Sequence, residues 1–193
     1  MSRVYPLQTA RLNLRPFEPG DLEDFLAYRS REDVARFLYG YAVDRTGAEA
    51  LLQRWIASAS MTKEGERIVW AVTLRDRPQL IGEVTLMWRS QEHKQAEIGY
   101  VLNPVYQGQG YAVEACAPLL RLGFTEFGFH RIYARCDARN VASYKVMERL
   151  GMRREGHFIE NEMFKGEWSD ELQYALLQSE WAKNQVKDQA KIE

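Results

Sequence analysis

Residues 96–115 read AEIGYVLNPVYQGQGYAVEA, and the organisation of the chain follows from them. Ile98 to Leu102 is strand-like and meets a turn at Asn103-Pro104. A short loop then carries Gly108 and Gly110, and an apolar helical pattern starts at Tyr111. Glycines between a strand end and a helix start let several backbone N–H groups converge at the positive end of a helix, which suits an anionic phosphate. Two familiar phosphate loops do not fit. A Walker loop would place Gly-Lys-Ser/Thr at its end, whereas Gly110 is followed by Tyr111 and Ala112. In a dinucleotide fingerprint a third glycine would stand at Val113.

Outward from this stretch the periodicity alternates between helix and strand. Leu12 and Leu14 alternate with Asn13 and Arg15 in a short strand ended by Pro16. Leu22, Phe25 and Leu26 lie at helical spacing within Glu18 to Arg29. Ser30 is placed to cap a second short helix from Asp33 to Leu38, and Gly40 to stop it. Thr46 with Glu49 predicts a capping box before Leu51, Leu52, Trp55 and Ile56. The period then becomes two. Ile68 to Leu74 and Leu80 to Trp88 read as strands paired across Asp76-Arg77-Pro78, followed by a third strand from Gln95 to Leu102. The long helix spans Tyr111 to Phe127, then a strand Ile132 to Asp137 and a helix Asn140 to Leu150. Met152 to Glu160 and Trp168 to Leu177 predict a final hairpin. No repeat or linker interrupts the pattern, so residues 1–178 read as a single α/β domain and 179–193 as a polar C-terminal helix or tail.

Composition narrows the function. With 193 residues, 46% of them hydrophobic, the chain can bury a full core. A formal net charge of −1 supplies no basic field for nucleic acid. The two cysteines, Cys116 and Cys136, read as free buried thiols of a reducing compartment. The opening MSRVYPLQTARLNL lacks the apolar run of a signal peptide, and no stretch approaches 18 apolar residues, so the expectation is a soluble cytoplasmic protein without membrane contact. Three scattered histidines and two distant cysteines give no metal-ligand spacing, and no Gly-x-Ser-x-Gly elbow is present.

Gln107, Gly110 and Ala112 occupy the defined positions of a Gln/Arg-x-x-Gly-x-Gly/Ala loop. Asn140-Val141-Ala142-Ser143, running into Leu150-Gly151-Met152, resembles the Asn-x-x-Ser/Ala helix that follows it in the GNAT acetyltransferases. The resemblance runs from Thr9-Ala10-Arg11-Leu12 to Gly166-Glu167-Trp168-Ser169-Asp170 and is nearest to the Rim-type ribosomal-protein N-terminal (alanine/serine) acetyltransferases. It implies the acyl-CoA N-acyltransferase fold, with a central, mostly antiparallel sheet and helices on both faces. It also implies acetyl-CoA as co-substrate, no metal, and a primary amine as acceptor. It admits a homodimer. The implied acceptor is a protein N-terminal α-amine, with polyamine or aminoglycoside acetylation as the alternative and a non-catalytic acyl-CoA-binding module as a third reading.

By the same resemblance, Gln107, Gly108, Gln109, Gly110, Tyr111 and Ala112 hold the coenzyme pyrophosphate, and Tyr100, Val101 and Leu102 run beside the pantetheine arm. Asn140 reads as an N-cap in any case, and the family adds a coenzyme contact there. Ser143 is implied to sit by the coenzyme sulfur; its ordinary reading is a back-bonded helix serine. Many relatives carry a tyrosine four residues later, where this chain has Met147, and Tyr144 projects about 100° away around the helix. Glu97 is implied as the catalytic carboxylate, against the plainer reading of a solvent-facing strand residue. Arg135 stands where other members place a basic glutamate. Glu83, His157 and Glu160 remain as further candidate bases.

Overall fold

The computed structural model describes residues 7–189; residues 1–6 and 190–193, which include the expected domain start and the end of the tail, lie outside them. Leu12 and Leu14 are buried and alternate with Asn13 and Arg15 in β2 (Leu12–Pro16), which pairs with the two-residue β1 (Leu7–Gln8) and with β3 (Arg67–Leu74). Ile68 to Leu74 are all buried, as befits a strand covered on both faces. Between β2 and β3 lie α1 (Leu22–Arg29), α2 (Glu32–Ala35) and α3 (Arg45–Ala57). β4 (Leu80–Ser90) and β5 (Gln95–Leu102) continue the antiparallel meander, and α4 (Tyr111–Thr125) leads to β6 (Arg131–Asp137). The chain ends with α5 (Val141–Arg149), β7 (Arg153–Phe164), β8 (Glu167–Leu177) and α6 (Gln178–Gln189).

These strands make one eight-stranded sheet of order β1-β2-β3-β4-β5-β6-β8-β7, antiparallel except for the β5–β6 pair. One face packs on α1 and α3 through Phe25, Tyr28, Ala48 and Leu52. The other packs on α4 and α5 through Cys116, Leu119, Phe124 and Met147, with Trp181 of α6 laid against Phe124. The mixed α/β fold with a mostly antiparallel sheet and helices on both faces is therefore present as the family resemblance implied.

Three local expectations are corrected. Ser30 closes α1, its hydroxyl donating to the Leu26 carbonyl at 2.7 Å, and the next helix covers only Glu32–Ala35. Asp44, not Thr46, caps α3: its carboxylate accepts the Gly47 N–H at 2.8 Å, so Thr46 already lies inside the helix. The last hairpin is longer than the pattern predicted, turning at Lys165-Gly166, and its second strand lies inside the first, next to β6.

Candidate active site

The parallel pair β5–β6 is hydrogen-bonded only where Gln95, Ala96 and Glu97 face Arg131, Ile132 and Tyr133. Beyond Glu97 the two strands part, while β5 stays paired with β4 as far as Leu102. The sheet is thus forked, and the inner edges of Ile98–Leu102 and Ala134–Asp137 leave backbone groups available to an extended ligand. A cleft of 390 Å³ opens beside β5, lined by Tyr100 and Leu102, by the loop from Tyr106 to Gly110, by the first turn of α4 and by α5. Asp33, Val34, Phe37 and Leu38 close it on the α2 side.

The glycine loop is built as its composition demands. The Asn103 side chain accepts the Val105 N–H, and the Gln107 amide donates to the Leu102 carbonyl at 3.1 Å, tying the loop to the strand end. Gly108 and Gly110 adopt φ of +76° and +83°, conformations costly for any residue with a Cβ. Gly110 is the N-cap of α4 and contributes no side chain, so the first-turn N–H groups stay available to an anion. Gln107, Gly108, Gly110, Tyr111 and Ala112 line the cleft; Gln109 does not, its carbonyl being turned to Arg11. Tyr100, Val101, Leu102, Asn140 and Ser143 line it as well.

Asn140 caps α5, accepting the Ser143 N–H at 3.1 Å. Ser143 meets Tyr100, a residue expected only beside the coenzyme arm. The Tyr100 hydroxyl donates to the Ser143 carbonyl at 2.7 Å and lies 3.0 Å from Ser143 Oγ. Burial raises the Tyr100 phenol far above its ordinary range, with the Ser143 bond opposing, so it remains a neutral donor. The clue was strand parity. Tyr100 shares a sheet face with Ile98, toward α4 and α5, whereas Val101 packs on the α1–α3 side. Met147, by contrast, is 2% exposed in the core and does not line the cleft. Cys136 lies near Ser143; burial pushes its thiol up to about 11 against the lowering effect of the Ser143 bond.

The carboxylates sort by their partners. Glu97 Oε2 takes two bonds from Arg89, at 2.6 and 2.7 Å, and Oε1 faces Arg135 at 3.5 Å. It is one-fifth exposed and is not a free solvent-facing residue. Arg135 also binds Glu171 at 3.0 Å and so bridges the strands either side of it. Burial raises the Glu171 carboxyl, and Arg135 only partly offsets this. Glu83 is buried and saturated by Tyr28, Arg29 and Trp55, which makes it a brace between the sheet and α1 and α3. His157 pairs with Asp170 on the outer hairpin. Through Leu172 it stands two strand spacings, about 10 Å, from Cys136. The Glu160 backbone N–H binds Asp170 there too. Among the described residues no three His, Cys, Asp or Glu side chains gather as a metal site, and no helix is long and apolar enough to cross a membrane.

A forked sheet whose cleft ends at a helix-capping glycine loop suits an extended ligand that carries phosphate at one end. The chain belongs to the GNAT acetyltransferases: residues 11–153 match the family described as Acetyltransferase (GNAT) domain. It is accordingly an acetyltransferase of a family that uses acetyl-CoA. It is 37% identical over 175 residues to the uncharacterized N-acetyltransferase YnaD of Bacillus subtilis, covering 91% of this chain and 98% of that one. A crystal structure of a GNAT-family acetyltransferase from Bacillus anthracis superposes with a TM-score of 0.80 at 34% identity, covering 91% and 99% of the two chains. A spermidine N(1)-acetyltransferase of Vibrio cholerae is 30% identical over 102 residues, 53% of this chain and 59% of the relative.

Proposed function

We propose that this acetyltransferase moves the acetyl group of acetyl-CoA to a protein N-terminal α-amine by direct attack in a ternary complex. The observation that carries the reading is the fork, with the glycine loop at one end of its cleft and the Ser143–Tyr100 pair beside the opening. The pantetheine arm lies along the free edge of β5, its amides pairing like an added strand. Backbone N–H near Val101 stabilises the oxyanion. Ser143 donates to the sulfur as negative charge develops there, and the Tyr100 hydroxyl, 3.0 Å from Ser143 Oγ, holds that oxygen in place. Cys136, a neutral thiol with a value near 11, is a poor nucleophile, which supports direct transfer over an acyl-enzyme.

The acceptor reading rests on the proton that the amine must lose. Glu97 takes the amine proton through a water, and two arginines already balance its charge. An α-amine with a pKa of about 8 is partly neutral at cellular pH and needs little from a base, whereas a lysine at ~10.4 needs far more. A polyamine acceptor is the second reading. It is supported by Asp33 on the cleft wall and by the likeness to the spermidine acetyltransferase.

The test is free-thiol release from acetyl-CoA over a panel of Ala- and Ser-initiated peptides, polyamines and aminoglycosides, with products identified by mass. Saturable turnover of the peptides alone upholds the proposal. Turnover confined to polyamines establishes the second reading. Coenzyme binding without turnover of any amine refutes both.

A further inference from the structure

A dense set of contacts joins the β1–β2 turn to the glycine loop, about a hundred residues away in sequence. Arg11 Nε donates to Glu114 Oε2 at 2.6 Å and its backbone N–H to Oε1 at 2.8 Å. The Thr9 hydroxyl donates to the same Oε1 at 2.6 Å. Arg11 Nη1 donates to the Gln109 carbonyl at 3.0 Å, and the guanidinium lies over the Tyr111 ring, 4.5 Å from its centroid. Arg11 is half-exposed, so these bonds are not a by-product of core packing.

We propose that Arg11 is a positioning residue of the donor site: it aims the Gly110 N–H at the coenzyme diphosphate and cancels the Glu114 charge beside it. The first part follows from peptide geometry. The Gln109 carbonyl and the Gly110 N–H belong to one planar trans unit and point in opposite directions. Fixing the carbonyl on Arg11 therefore turns that N–H away from Arg11, and Gly110 lines the cleft. The second part follows from charge. Glu114 sits in the first turn of α4, where a carboxylate is drawn to the same positive helix end that a diphosphate needs. Left alone it would compete with the ligand and repel it. Paired with Arg11 and Thr9 it does neither, and the arginine's remaining N–H secures the loop. Burial of Glu114 would raise its carboxyl, but the Thr9 and Arg11 bonds outweigh this and lower it, so the carboxylate stays ionised against its partner.

The inference rests on coenzyme A being the ligand of the cleft, and its test separates the two ideas. Dissociation constants are measured for CoA and for pantetheine, which lacks the diphosphate, by calorimetry and by displacement. Arg11→Ala should weaken CoA at least tenfold and shift pantetheine less than twofold. Adding Glu114→Gln to Arg11→Ala should restore part of the CoA affinity, because the uncancelled charge is gone. Arg11→Lys, which keeps the charge but not the planar fork, should fall between wild type and Arg11→Ala, and it carries the comparison if the alanine variant does not fold. Equal weakening of both ligands, or unchanged CoA affinity, overturns the role of Arg11. A wild-type protein that fails to bind CoA overturns the donor reading itself.

Discussion

Replacing Tyr100 with Phe removes one oxygen and conserves the packing of the ring, so it isolates the hydroxyl that touches Ser143. Two bonds are lost, one to the Ser143 carbonyl at 2.7 Å and one with Oγ at 3.0 Å. The carbonyl bond bears on stability: a neutral buried hydrogen bond is worth about 1 kcal/mol, which lowers Tm by ~2–4 °C for a chain of this size. The Oγ bond bears on rate. Ser143→Ala removes a hydrogen bond to a developing thiolate, worth ~1.5–3 kcal/mol, or a ~10–100-fold fall in kcat. Tyr100 acts only through that serine and contributes a neutral bond of ~0.5–1.5 kcal/mol, so Tyr100→Phe should lower kcat about two- to tenfold. The decisive measurement is the double variant, assayed by thiol release at saturating acetyl-CoA. If the tyrosine works through the serine, Tyr100→Phe made on Ser143→Ala should cost almost nothing further. Multiplicative losses would refute the relay and show that the phenol reaches the sulfur independently.

Other outcomes follow from the same geometry. Gly110→Val places a β-branched residue at φ +83°, while its Cβ meets Arg11 at an ordinary 3.6 Å, so the variant should fold but lose most of the CoA-induced rise in Tm. A rise matching wild type would dislodge the diphosphate from this loop. Met147→Tyr forces extra volume into the core and should cost ~1–3 kcal/mol in denaturant unfolding, without rescuing Ser143→Ala; rescue would mean that the residue reaches the cleft after all. Cys136 should resist alkylation at pH 8. Its folded value near 11 lies above the ordinary ~8.5, so the stability it contributes is complete below that ordinary value and is lost as pH rises through 11. Rapid labelling of native protein at Cys136, mapped by mass spectrometry, would contradict this.

Much of the architecture was legible because periodicity is local. Leu12 and Leu14 betray a strand, and Leu22, Phe25 and Leu26 a helix, whatever lies elsewhere in the chain. The glycine loop was equally readable, since Gly108 and Gly110 need conformations that their own residue type permits. Helix starts were less so: Asp44 and Thr46 are both good caps, and only the backbone decides between them. What escaped was the product of distant pairings. Nothing near Tyr100 says that its phenol meets a serine 43 residues on. Strand parity puts Tyr100 on the helix-covered face, but the partner appears only once α5 is laid there. Met147 is unreadable for the converse reason: its place on the helix is local, but only the packing of α5 on the sheet turns the side chain inward. Glu97 sits on the expected strand, yet its neutralisation by Arg89 and Arg135 depends on two other strands.

The fork also divides the chain by its order. Every strand on one side of it comes from residues 7–102, and every strand on the other from 131–177, so the two half-sheets are consecutive stretches of sequence sewn at three residue pairs. Within each half most neighbouring strands are also close in sequence, contacts whose loop-closure cost is small. The seam, and with it the opening beside Ser143, forms only when the halves dock. Such a chain lends itself to severing near Gly128, between α4 and β6, and to reconstitution from two polypeptides. The regain of coenzyme binding would then clock the docking step itself.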